Sequence, residues 1–287
     1  MKCITFPGSA KLAGVAGMLA CLGCDADDRS IALGMHAPWL FLFDQGRFMA
    51  GSSLYQPRWV NLYLTPRGFR MTEKVLTKEE VPAYLRSLET AMLPLTILKD
   101  VHHPVVYTGY ADGRYRFENL KPENSNEPDS LSLTGGMLGR RLADQSAVFT
   151  VEKCPPGKAE IVPLLVESLK TLARYQSEML ETLDEVVTRK EFLTLSKTHL
   201  KALLQDMLPM AELIDDAVLT EELCLLNHDY RHVFSLHGPD TVRLGDRLPR
   251  SAICRCISWM RENIIDQLYE QGLTDPEVEH LLKTNNL

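Results

Sequence analysis

The chain predicts an α+β protein, with an N-terminal half built on a central antiparallel sheet and an all-helical C-terminal half. Three observations carry this. Up to about Lys153 the sequence is rich in glycine, aromatics and short β-like runs. After Cys154-Pro155-Pro156-Gly157 it turns long, charged and helix-periodic. Cys-Pro-Pro-Gly continues neither a helix nor a strand ladder, so it separates residues 1–153 from 154–287 as two domains.

In the first half, Ser9 stands as N-cap of a helix from Ala10 to Leu22, and Gly23 suits the position past its end. Its apolar, small-residue run is broken by glycines and followed by Asp25, Asp27 and Asp28, so it reads as a buried helix and not a signal peptide. A second helix is expected over Asp27 to Leu33. Trp39–Phe43 and Arg47–Ala50 form a hairpin around Asp44-Gln45-Gly46. Arg58 to Leu64 alternates as a strand would. Thr77 opens a helix to Ala91, and Leu95–Leu98 is a strand. The stretch from His103 to Asn119 reads as a hairpin turned at Ala111-Asp112-Gly113. Lys121 to Ser130 is a polar loop, Thr134 to Leu142 a short helix, and Ala147 to Val151 the last strand.

In the second half, Ile161, Leu165, Leu169, Leu172, Tyr175, Met179 and Leu183 keep helical spacing within Lys158–Thr188. Lys190–Leu208 repeats the pattern and stops before Pro209. Met210–Tyr230 continues as a third helix. Ser251 caps a fourth that runs to Gln271, and Asp275-Pro276 starts a last short one.

The length of 287 residues, with 45% apolar and 24% charged residues, is that of a folded protein with a sizeable core. The net charge of −7 argues against nucleic acid or an anionic membrane surface as a partner. No run reaches the roughly 18 apolar residues that a spanning helix needs. The seven cysteines are not spaced as a disulfide scaffold, and Cys21-x-x-Cys24 has no second pair beside it, so the thiols read as reduced and cytoplasmic.

The chemistry centres on the 103–119 hairpin. The separation of 119 − 103 = 16 residues folds a histidine and a carboxamide to the open end of two strands. An imidazole beside a carboxamide is a base with its orienting group, and nucleophilic catalysis needs both. His102 and His103 are adjacent on a strand, so they point to opposite faces.

The segment His103-x-Val105-Val106-x-x-Gly109-Tyr110, followed by Tyr115-x-Phe117-x-Asn119, resembles the histidine and aspartate/asparagine segment of papain-like proteins of the bacteriocin-leader-cleaving peptidase type. It is similar to the N-terminal domain of butirosin biosynthesis protein H and its kin. Ile31-Ala32-Leu33-Gly34 and Trp39-Leu40-Phe41 extend the likeness, which covers about residues 3 to 152. The resemblance implies a papain-like fold for the N-terminal half. It also implies an acyl-accepting cysteine at the start of the first helix, in a pattern like Cys-x-x-x-x-Leu-x-x-x-Leu-x-x-x-Gly. It makes His103 the base and Asn119 its orienter.

Here the chain departs from the family. Counting thirteen residues back from Gly23 gives position 10, and position 10 is alanine. Three readings stay open: Ser9 replaces the cysteine, Cys3 reaches the site from an extended segment, or the site is inactive and serves binding. A serine at an N-cap is also a common structural residue. The candidate catalytic residues are therefore Ser9, His103, Asn119 and Cys3, with no cofactor and no metal.

The function expected is acyl transfer, or amide or thioester hydrolysis. The alternative is an inactive binding or accessory protein in peptide or secondary-metabolite biosynthesis. The partner is a peptide, a carrier-bound acyl group or a small molecule, and the apolar helical half can support a homodimer. Three further features carry less. His228 and His232 share a helix face at i and i+4, with His237 and Asp215-Asp216 as possible co-ligands. Asp27-Asp28-Arg29 and residues 123–127 read as solvated surface. Trp39, Phe41, Phe43, Phe48 and Trp59 read as core.

Overall fold

A computed structural model describes residues 4–88, 94–97, 104–122, 125–234, 240–285 and 287. In chain order the first elements are α1 (Ala10–Cys21), α2 (Asp28–Gly34), β1 (Phe41–Asp44), β2 (Arg47–Ala50), α3 (Pro57–Leu64) and β3 (Phe69–Thr77). Then come α4 (Glu80–Ser87), β4 (Leu95–Ile97), β5 (Pro104–Ala111), β6 (Arg114–Asn119), β7 (Ser130–Thr134), α5 (Gly135–Arg141) and β8 (Gln145–Lys153). The remainder is α6 (Val162–Thr182), β9 (Val186–Thr188), α7 (Arg189–Leu195), α8 (Leu208–Leu213), α9 (Ala217–Arg231), β10 (Thr241–Arg243), α10 (Arg250–Glu270) and α11 (Asp275–Thr284). The protein is thus mixed α and β, and among the described residues the strands named above pair antiparallel. Among the described residues no helix is long and apolar enough to cross a membrane.

The chain divides into two compact units. One comprises Met1–Met35 and Tyr55–Ala159, the other His36–Leu54 and Glu160–Leu287. The β1–β2 hairpin therefore packs with the C-terminal helices, although it lies early in the sequence.

The first unit holds a six-stranded sheet in the order β3-β8-β4-β5-β6-β7. One face is covered by α1, whose small residues permit close approach. A Cβ on Gly14 would stand 2.4 Å from Leu95 and 3.1 Å from Leu120, and one on Gly17 3.4 Å from Val106. The other face buries Val105, Tyr107, Tyr115, Phe117, Leu133 and Val148 against Val81 and Leu85 of α4 and Leu138 of α5. The β5–β6 turn places Asp112 and Gly113 at φ 54° and 74°, the left-handed pair that suits a two-residue hairpin loop.

Arg58–Leu64 is not a strand but α3. Pro57 sits in its first turn, and the buried residues Trp59, Val60, Tyr63 and Leu64 recur at helical spacing. The strand of this region is β3, and α3 serves it: Asn61 Oδ1 accepts from Met71 N–H at 2.7 Å, and Asn61 Nδ2 donates to Met71 O at 3.0 Å. The side-chain amide thus occupies hydrogen-bonding positions on an edge strand, which would otherwise offer them to another chain.

In the second unit, Tyr175 of α6 is fully buried and stands edge-on to Phe41 and Phe48 at 4.9 and 4.8 Å. Ser168 Oγ accepts from Phe41 N–H at 3.1 Å. The C-terminal half is not wholly helical: Val187 of β9 pairs with Val242 of β10 in a short antiparallel ladder. The expected second helix gives way after α7 to two π-helical turns, Ser196–Leu200 and Ala202–Asp206. The expected third helix is broken at Asp215, whose φ of 56° ends α8 and lets Asp216 cap α9. Ser251 lies inside α10, which Pro249 precedes as N-cap.

Gly51 follows β2 with φ 50°, and a Cβ there would meet the Asp206 backbone oxygen at 2.3 Å. Gly51→Ala is therefore expected to lower stability by about 1–3 kcal/mol through strain and overpacking. Urea denaturation read by tryptophan fluorescence checks this, and an unchanged midpoint contradicts it.

Candidate functional site

The start of α1 is the position to which the family likeness gives a nucleophile. Ala10 is the first residue of α1, and its methyl carries no chemistry. Ser9 precedes it and is fully buried. Its backbone oxygen accepts the first helical bond, from Ala13 N–H at 2.9 Å. Its hydroxyl, however, does not cap α1. The single hydroxyl proton is shared between Phe6 O at 2.8 Å and Asp28 Oδ2 at 2.5 Å. The bond to the carboxylate is charge-assisted, a kind about twice as strong as a neutral one, and it fixes the direction in which the hydroxyl donates.

Asp28 is the organising group of this corner. It lies in the first turn of α2, where the helix dipole favours an anion. Asp27 caps the same helix, accepting from Ser30 N–H at 2.7 Å. Asp28 Oδ2 also accepts from Thr5 N–H at 2.8 Å, and Oδ1 from Thr5 Oγ1 at 2.5 Å. Three donors from the segment ahead of α1 thus converge on one carboxylate. Asp28 is 1% exposed, which overturns its reading as solvated surface. Two acidic residues at a helix start look like ordinary dipole complements, so neither the cap made by Asp27 nor the burial of Asp28 was read from the sequence.

Asn119 closes β6 and is buried opposite Val105 in the ladder. Strand alternation puts it on the face of Phe117 and Val105, while Val106 faces α1. Its Nδ2 donates to Glu127 Oε2 at 3.1 Å and Pro128 O at 3.0 Å, and its backbone N–H to Asp129 O at 2.9 Å. Lys121 binds the same loop, donating from Nζ to Glu127 O at 2.6 Å and pairing with Asp129 Oδ1 at 2.7 Å. Residues 125–129 are thus tied to the end of β6, and Glu127 is half-buried instead of free in solvent. Asn119 Oδ1 is buried and has no partner among the described residues. A buried acceptor of this kind is suited to an N–H donor such as an imidazole.

Ser9 and Asn119 do not bond to each other; each is held by its own local partners. Cys3, His102 and His103 lie outside the described residues. Cys21 is exposed and Cys24 half-buried, both as free thiols. Although Cys21 is exposed, partial desolvation by neighbouring atoms, with the Glu118 carboxylate nearby, holds its thiol above the ordinary range. That is the opposite of what an activated thiol needs.

The aromatic residues grouped in the sequence split between the units. Trp59 is buried in α3, and Phe41 and Phe48 pack on Tyr175. Asp215 and Asp216 stand at the N-terminal end of α9, with His228 and His232 at the other. At 1.5 Å per residue the separation of 228 − 216 = 12 positions is roughly 18 Å, so these groups cannot share one ion. Asp216 is already engaged, accepting from Leu219 N–H at 2.9 Å and Asn263 Nδ2 at 2.8 Å. His237 lies outside the described residues. Among the described residues no three metal-binding side chains come together.

No protein-family model, no curated protein and no solved structure matches this chain.

Asp28→Ala removes the acceptor of Thr5 N–H and Thr5 Oγ1 and leaves the buried Ser9 hydroxyl only the Phe6 carbonyl. It is expected to destabilise the protein by roughly 1–3 kcal/mol through the loss of these bonds to a charged group. Chemical denaturation measures this, and a loss below about 0.5 kcal/mol would place the carboxylate outside the network described.

Proposed function

We propose that this chain is a papain-like binding or accessory protein of peptide or secondary-metabolite biosynthesis, one that keeps the architecture without a nucleophile at the start of its first helix. The observation that carries the reading is the state of Ser9: its side chain is buried and its hydroxyl proton is held by Asp28 and the Phe6 carbonyl. An acyl carbon has no approach to that oxygen, and Ala10 offers none. The helix lying across an antiparallel sheet, with small residues at the contact, supports the papain-like assignment. The ligand is a peptide, a carrier-bound acyl group or a small molecule, recognised in the reducing setting that the free thiols favour.

The catalytic reading keeps one observation in its favour. Asn119 Oδ1 is a buried acceptor without a partner among the described residues, as an orienter for His103 would be. In that reading Cys3 is the acyl acceptor, since a thiol ionises far more readily than the Ser9 hydroxyl.

Chemical labelling separates the two. The binding reading predicts that a fluorophosphonate leaves Ser9 unmodified. It also predicts that iodoacetamide alkylates Cys224, which is exposed, and spares Cys256, whose burial pushes its thiol up to about 12. Rapid alkylation of Cys3 that is lost in His103→Ala, or any adduct on Ser9, overturns the binding reading.

A further inference from the structure

The C-terminal turn of α9 carries two exposed imidazoles with no part in the site above. His228 lies in the last helical turn and His232 is the C-cap. The four-residue spacing stacks them on one face, with ring centroids 4.5 Å apart and ring planes inclined at 32°. His228 has 71% of its side chain exposed.

The hydrogen bonds of these rings fix what each can offer. His232 Nδ1 lies 2.8 Å from the His228 carbonyl oxygen. A carbonyl only accepts, so Nδ1 carries the proton and Nε2 presents its lone pair. Asp229 Oδ1 lies 3.5 Å from His228 Nδ1, so a carboxylate likewise faces the inner nitrogen of the other ring. A ligating histidine is ordinarily held in this way, with its second nitrogen donating to a carbonyl or carboxylate that fixes tautomer and orientation. Here one bond of that kind is formed and a second is approached, on two neighbouring rings.

We infer that His228 and His232 form a two-histidine site for a borderline divalent ion of the zinc, nickel or copper(II) class. Imidazole suits these ions, whereas magnesium and calcium require oxygen donors. Metal–nitrogen bonds of about 2.0–2.1 Å set two nitrogens of a tetrahedral ion roughly 3.3 Å apart. Rings already stacked at 4.5 Å reach that separation with small side-chain rotations. The negative end of the α9 dipole and the Asp229 carboxylate both favour a cation here. Arg231 in the same turn opposes it. Among the described residues the site has two donors, His228 and His232, and further coordination positions can be taken by water or by a donor from a bound molecule. With two nitrogen donors the affinity order is copper(II) above nickel and zinc.

Isothermal titration of the chelator-treated, desalted full chain with zinc chloride and nickel chloride tests the site, together with the paramagnetic resonance spectrum of the copper(II)-loaded protein. The expected result is one ion bound per chain and nitrogen coupling in the copper spectrum. Binding is lost in His228→Ala and in His232→Ala and kept in His280→Ala, which changes an exposed histidine elsewhere. Metal should also raise the melting temperature of the parent chain but not of His228→Ala, because a ligand stabilises only the form that binds it. Both histidines are exposed, so unaltered circular dichroism certifies the variants as folded. A parent chain that takes up no ion overturns the site, and so does a His228→Ala/His232→Ala variant that binds as tightly as the parent.

Discussion

The first unit depends on one buried carboxylate. Asp28 gathers Thr5 N–H, Thr5 Oγ1 and Ser9 Oγ, and so pins the segment entering α1 to the start of α2. The energetic logic is one-sided. A buried charge without donors is very costly, and each donor without its acceptor is costly too, so the group is stable only when complete. Because the corner is complete, α1 lies where Gly14 and Gly17 meet Leu95, Leu120 and Val106. The same bonds occupy the Ser9 hydroxyl at the helix start. Structural need and catalytic availability compete for Ser9 Oγ, and the structural claim prevails because the carboxylate lies at 2.5 Å and the serine is buried.

At the far end of the hairpin a second local network follows the same principle with a different outcome. Asn119 uses its amide nitrogen to hold the loop of Glu127 and Pro128, yet its oxygen is left without a partner among the described residues. Lys121 closes the loop against Asp129. One corner is fully satisfied and the other retains an acceptor. This asymmetry leaves an acceptor open at the β6 end, while the donors at the helix start are held by Asp28.

Much of the fold was legible where local chemistry decides it. The left-handed pairs at Gln45-Gly46 and Asp112-Gly113 mark their hairpins, and the helix of Ala10–Cys21 ends before Gly23 at φ 81° as its residues suggest. Legibility failed where distant partners decide. Arg58–Leu64 alternates like a strand, but burial selects Trp59, Val60, Tyr63 and Leu64 as a helix face. The β1–β2 hairpin packs with the second unit because Phe41 and Phe48 meet Tyr175 of α6, more than a hundred positions along the chain. Asp28 looked solvated because its three donors are contributed by another segment. At the site, the residue types at 9, 10 and 119 were readable, but the state of the Ser9 hydroxyl was not, since Asp28 lies nineteen residues away.

The most direct test of this account is a double-mutant cycle between Ser9→Ala and Asp28→Asn, followed by urea denaturation. If the hydroxyl serves the carboxylate, the two losses are strongly non-additive, with a coupling of at least about 1 kcal/mol. Losses that simply add would mean that Ser9 and Asp28 act independently, and the claim that Ser9 is a structural latch would fail.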